Sequence, residues 1–170
     1  MEKIISTQKT TVDILFNSQL ETGVRTLILL NAVYPMTYDL TKLTWLDHLV
    51  VHTGDIDGPE SLHPNVPQRS GEILVRRRLI ENGLILMRRL NLISAIPTEN
   101  GISYQTTDEA YRIVGLMRAS YAVALKNRAK WIAENICVLS EDALHNLITE
   151  KLGRWQIEFQ EKPDIKKDLS

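Results

Sequence analysis

Asn100-Gly101 stands between two β-leaning runs, LISAI and ISYQT. A pair of this kind between such runs is a strong short-range hairpin signal, because both residues tolerate positive φ. The chain before it is helical. Apolar residues recur at helical spacing over roughly 19–33, 39–52 and 70–90. Three helices leading directly into a hairpin is the layout of a winged helix-turn-helix, with the third helix as recognition helix and PTENG as the wing tip. The expected fold is mainly α with a small β-hairpin (α+β), built on a winged helix-turn-helix-like core over 17–107.

Local signals set the boundaries. Ser18 caps the first helix, and Glu21 at N3 completes a capping box. Tyr34-Pro35 ends it, since Pro disfavours helix in the preceding residue. Thr37 or Asp39 caps the second helix, whose stripe is Leu40, Leu43, Leu46, Val50 and partly Trp45. Ser70 caps the third, which carries Gly83 at a cost of about 1 kcal/mol relative to Ala. Between the second and third lies TGDIDGPESLHPNVPQ, residues 53–68, with two Gly and three Pro. It reads as an inserted loop far longer than the usual turn, and such loops are often functional. After the hairpin, Thr107 or Asp108 starts a long helix over roughly 108–135, which Gly115 and Ser120 can bend. A last helix follows over roughly 141–159. These two C-terminal helices, spanning 108–160, are expected to pack on the core. Residues 1–16 are expected to form an N-terminal arm, with VDILF as an alternative edge strand, and 161–170 a flexible tail.

The 170 residues carry a net charge of −1, which excludes a globally basic nucleic-acid binder but not a local basic face. Charge alternates by segment: −4 over 18–68, +4 over 69–90, −3 over 91–110, +4 over 111–139 and −2 over 140–170. One cysteine, Cys137, excludes an internal disulfide framework and any CxxC metal site. MEKIISTQKT has no apolar run, so no signal peptide is expected, and no stretch approaches a membrane span. A soluble, reduced, cytoplasmic protein is expected.

Three segments are candidate sites. The first runs from Asp47 to His63. His48 and His52 are four apart and share a helix face, and Asp55, Asp57, Glu60 and His63 follow. Two His with carboxylates can bind zinc or iron, so His48, His52 and Asp55 raise the alternative of a metal-dependent enzyme. The spacing is not HExxH, because residue 49 is Leu. The preferred reading is structural: these groups pin the helix end and the Gly- and Pro-driven turns. No metal site is assigned.

The second segment is RSGEILVRRRLIENGLILMRR. Guanidinium forks suit phosphate, which makes Arg77, Arg78, Arg88 and Arg89 candidate nucleic-acid contacts. Against this, Glu72 and Glu81 share the helix and the wing tip carries Glu99. Arg76 and Arg77 equally suit acidic residues of a partner protein, or Glu21 and Asp47 of this chain. The third segment is MRASYAVALKNRAKWIAENI. Lys126, Arg128 and Lys130 mix with Tyr121 and Trp131, as on a strand-binding surface. The preferred reading is an amphipathic helix that packs Tyr121, Leu125, Ile132 and Ile136 inside. No GxSxG, GxxxxGK[ST] or GxGxxG occurs. Cys137 lacks a nearby base and reads as a buried small hydrophobe. Nothing argues for an enzyme, and no cofactor is implied.

The string WLDHLVVHTGDIDGPESLHPNVPQRSGEILVRRRLIENGLILM resembles the middle component of bacterial three-component ABC-ATPase (ABC-3C, Lamassu-like) anti-phage defence systems. The likeness extends from NSQLETGVRTLILLNAVYP through the hairpin to GRWQIEFQ, roughly residues 17–160. The matching positions are Trp45, Asp47, His48, His52, Gly54, Gly58, Pro59, Ser61, His63, Pro64, Arg69, Ser70, Gly71, Glu72 and Arg76. The resemblance implies a non-catalytic subunit that sits with an SMC/Rad50-like ABC ATPase and an effector, often a nuclease. It implies that DNA is met through the complex, and it assigns no catalytic residue. On this reading, the 53–68 loop and the helix from Ser70 form a rigid docking face. Its residues are Trp45, His48, His52, Asp55, Ser61, His63, Arg69, Glu72 and Arg76, with Trp45 and Arg76 as anchors. The alternative is a stand-alone winged-helix DNA-binding regulator using the basic residues above.

Overall fold

A computed structural model describes residues 18–64 and 72–152. The arm over 1–16, the tail over 161–170, the Ser70 cap, Arg69 and the end of the last helix lie outside the described residues. Within them are six α-helices and one three-stranded antiparallel sheet, an α+β architecture.

Helix α1 (Gln19–Val33) is the centre of the core. Ser18 caps it by accepting from the Glu21 N–H at 3.2 Å. Leu27, Ile28, Leu29 and Leu30 are all buried in succession, so the helix is covered on every side. It packs against α3 (Glu72–Arg89) most extensively, and also against α2 (Leu40–Val51), α4 (Asp108–Leu116) and α5 (Ser120–Asn135). Gly83 accounts for the closest approach. A Cβ there would lie 2.8 Å from the Gly23 nitrogen, so α1 and α3 cross backbone to backbone.

A two-residue strand, β1 (Tyr38–Asp39), precedes α2. The sequence reading missed it, because two residues show no period. Asp39 both ends β1 and caps α2, accepting from the Lys42 N–H at 2.8 Å. Strands β2 (Ile93–Thr98) and β3 (Gly101–Thr106) form the expected hairpin, and β1 adds to β3 to give the order β1-β3-β2. The turn differs in detail from expectation. Thr98 pairs with Gly101, so the turn residues are Glu99 and Asn100. Gly101 takes φ 124° and opens β3.

The single helix expected over 108–135 is two. Helix α4 ends at Leu116 and α5 starts at Ser120. Lys126 holds the break, donating from Nζ to the carbonyl of Val114 (3.1 Å), which also accepts from the Met117 N–H, and to that of Met117 (2.8 Å) just past the end of α4. Leu125, Ala129, Ile132 and Ile136 of α5 and its exit face the core. The chain divides into two compact units after Val138. The second contains α6 (Glu141–Leu152), capped by the Ser140 hydroxyl accepting from the Ala143 N–H at 3.2 Å.

Candidate functional site

The charged centre of the molecule is Asp47, on the buried face of α2 and fully excluded from solvent. Arg25 of α1 grips it with two bonds: Nε donates to Oδ1 (2.5 Å) and Nη2 to Oδ2 (3.1 Å). Arg76 of α3 donates from Nη1 to Oδ2. One carboxylate thus ties three helices together. Burial alone would raise the Asp47 pKa, but the two guanidiniums outweigh it and hold the carboxyl below its ordinary range. Arg25 is itself 3% exposed; Asp47 outweighs the burial penalty and keeps it charged.

Beside this cluster runs a row of rings. His48 and His52 are 4.5 Å apart between centroids, His52 and His63 6.3 Å, and His63 and Tyr121 6.0 Å with near-parallel planes. His63 Nε2 and the Tyr121 hydroxyl share a 2.8 Å hydrogen bond. Burial, followed by the nearby arginines, pushes His48 down to about 3 and His63 down to about 4. His52 is lowered for the same reasons. All three are neutral at pH 7. His52 Nδ1 has no hydrogen-bond partner among the described residues, so no carboxylate there orients it as a general base. Among the described residues no group of three His, Cys, Asp or Glu side chains is placed to hold a metal ion. Burial raises the Cys137 thiol, which favours the unreactive protonated form.

The inserted segment from Thr53 to Pro64 is held down along its length. It opens with a 3₁₀ turn, Thr53–Ile56. The Thr53 hydroxyl donates to the Pro59 carbonyl at 2.7 Å, and the Gly54 N–H donates to the Ser61 hydroxyl at 3.0 Å. The N–H groups of Leu62 and His63 both reach the Val51 carbonyl. Arg128 donates twice to the Glu60 carbonyl, at 3.2 and 2.9 Å. Trp131 covers Gly58 so closely that a Cβ would lie 2.8 Å from the indole.

The predicted docking residues therefore separate. Trp45, expected as an anchor, is 8% exposed and belongs to the core. Arg76, the other anchor, is spent on Asp47. His48 and His52 are buried, Ser61 and His63 hold the strap, and Asp55 lies on the surface. Glu72 opens α3, and Arg69 is outside the described residues. The basic candidates separate as well. Arg77 donates to the Thr41 hydroxyl at 2.9 Å, Lys126 caps α4, Arg128 pins the strap, and Lys130 lies 3.9 Å from Glu134. Only Arg78, Arg88 and Arg89 of this set have side chains with no hydrogen bond or ion pair among the described residues, and all three are exposed.

Sequence reasoning missed Arg25 and the outward apolar residues of α3. Arg25 sat in a helix read for its leucines. On α3 the core stripe is Ile80, Leu84 and Met87, and the apolar residues off that stripe, Leu74, Val75 and Ile85, are exposed (44%, 61% and 41%). They share the outer face with Arg78, Glu81, Arg88 and Arg89.

The described residues define a small α+β protein whose charged centre is structural and whose third helix presents a mixed apolar and basic face. Residues 15–158 match the model of a family, the ABC-three component (ABC-3C) system Middle Component 2, and the chain belongs to that family. Neither a curated protein nor a solved structure matches it. As a middle component it partners with other components of such a system. No helix among the described residues is long and apolar enough to cross a membrane.

Proposed function

We propose that the chain is a non-catalytic adaptor of a Lamassu-like anti-phage defence complex. It bridges an SMC/Rad50-like ABC ATPase and an effector such as a nuclease, and it helps couple DNA sensing by the ATPase to effector control. The observation that carries this is the outer face of α3. Leu74, Val75 and Ile85 are exposed on the same face as Arg78, Arg88 and Arg89, whose side chains bind nothing among the described residues, a composition suited to a protein partner. The element order helix, strand, helix, helix, hairpin, with β1 paired to β3, supports the winged-helix reading of the core.

The DNA-regulator alternative draws support from Arg78, Arg88 and Arg89 alone. The hairpin from Ile93 to Thr106 contains no Lys or Arg, and its tip carries Glu99. A wing of that composition has no cation to offer a phosphate. The test is co-expression with the neighbouring genes. The full chain is expected to co-purify with the ATPase and the effector, and Val75→Asp to lose both while keeping its circular dichroism spectrum. Wild-type chain that purifies alone, and binds duplex DNA with log affinity falling linearly with log salt, would instead establish the regulator.

A further inference from the structure

We infer that the groove between the last turn of α3 and strand β2 receives an acidic amphipathic helix of a partner subunit; this rests on the adaptor reading and names the chemistry of one contact within it. The groove is open, about 530 Å³, and lined by Ile85, Arg88, Arg89, Ile93, Ser94 and Ala95. Its shape is fixed before any partner arrives. Asn91 turns the chain at φ 59°, with its N–H on the Arg88 carbonyl (3.0 Å) and the Leu92 N–H on the Met87 carbonyl (2.9 Å). Thr107 then clamps the turn, its hydroxyl donating to the Asn91 carbonyl at 2.7 Å. Ile93 is buried at the base of β2, so the arginines stand beside a packed apolar floor.

Charge complementarity selects the occupant. Arg88 and Arg89 are exposed, and their guanidiniums bind nothing among the described residues, so each can take a carboxylate in a two-bond fork. Ile85 and Leu90 flank them, 41% and 54% exposed. A phosphate backbone would use the cations and leave these two apolar side chains in water. A duplex laid along α3 would also cover Glu81, which faces outward one helical turn before Ile85. A helix with carboxylates three or four residues apart and an apolar residue between them uses both kinds of group. Glu81 is not among the residues that line the groove.

The test uses the full chain. Overlapping peptides tiled along the co-encoded ATPase and effector subunits are screened for binding, and the binders are titrated into isotope-labelled chain by NMR. The tightest binders are expected to be acidic with apolar residues at helical spacing. Amide shifts should concentrate at Ile85, Arg88, Arg89 and Ala95. Arg88→Glu/Arg89→Glu should weaken binding about tenfold or more, and Ile85→Ser about fivefold, with circular dichroism unchanged. A short DNA duplex should not displace the peptide. Neutral or basic binders, shifts elsewhere, an unaffected double variant, or displacement by the duplex would each overturn the inference. A double variant that binds no acidic peptide more weakly than wild type, yet co-purifies with both subunits, sinks the groove and leaves the adaptor standing. Wild-type chain that co-purifies with neither sinks the adaptor itself.

Discussion

Arg76, Arg77 and Arg78 are consecutive in sequence and do three different things. Arg76 turns inward to Asp47, Arg77 lies across to the Thr41 hydroxyl, and Arg78 faces solvent. Each step along a helix rotates the side chain by about 100°, so three successive positions cover most of the circumference. The inner arginine belongs to a structural clamp with Arg25 and Asp47. The outer one belongs to a surface with Val75, Ile85 and Arg88. A run of like charge is therefore not one site. The inner half of α3 is bound by an ion pair to a fully buried carboxylate, whose loss is expensive; the side chains of Arg78, Arg88 and Arg89 on the outer half bind nothing among the described residues and are available to something else.

The sharpest way to break that comparison is to remove the shared carboxylate. Asp47→Ala leaves Arg25 buried with only the distant, partly exposed Glu21 carboxylate at 3.9 Å, and frees Arg76. Losing one partner of a buried ionic cluster costs about 3–5 kcal/mol. Urea unfolding should show that loss, and a change below about 1 kcal/mol would mean the three helices do not depend on Asp47.

Much of this was legible in the residues. The three helices, the hairpin and the caps at Ser18 and Asp39 follow from period, turn chemistry and short-range hydrogen bonding, which are local. The possibility that Arg76 pairs with Asp47 was also visible, as one of several acidic partners for a basic run. The choice among those partners was not, because it depends on how α1, α2 and α3 cross. Gly83 shows the same limit. Its cost within a helix is legible, but the reason for it is the Gly23 backbone sixty residues away. The sequence leaves Trp45 with two places, partly on the apolar stripe of α2 and partly as an aromatic anchor of a docking face. It is buried because α2 has apolar neighbours on nearly every side. Gly115 and Ser120 mark where the 108–135 stretch can bend, and the break falls between them; that it is a full break rather than a bend is not legible, since no Pro marks it and the Lys126 ammonium that caps α4 sits within the stretch itself.

Acid should separate the two halves of the comparison next. In the unfolded chain a histidine titrates near 6.5, whereas in the fold His48 is pushed down to about 3 and His63 to about 4. The unfolded state therefore binds more protons as pH falls below 6.5, and stability falls with it. The loss begins as pH falls through 6.5 and continues until each ring titrates in the fold, near pH 4 for His63 and near pH 3 for His48. His48, being 8% exposed, should account for about 2 kcal/mol of loss at pH 5. The lowered Asp47 adds to the loss only below its ordinary range, near 3.8. Urea unfolding at pH 7.5 and pH 5 checks this. Equal stabilities would mean the ring row is charged or solvated in the fold. The outer face carries none of these groups, so peptide binding there should change far less over the same interval.

The smallest effect is the most discriminating, because it compares neighbours. Arg77→Ala removes a half-buried hydrogen bond to Thr41 and should cost about 1 kcal/mol. Arg78→Ala removes an exposed side chain with no partner among the described residues, and its stability change should stay within about 0.5 kcal/mol. If Arg78→Ala leaves stability alone and weakens co-purification, the outward residue serves an interface and nothing internal. If instead it destabilises the chain as much as Arg77→Ala does, then α3 has no uncommitted side at that point. The docking surface would then shrink to its C-terminal end, around Ile85 and Arg88.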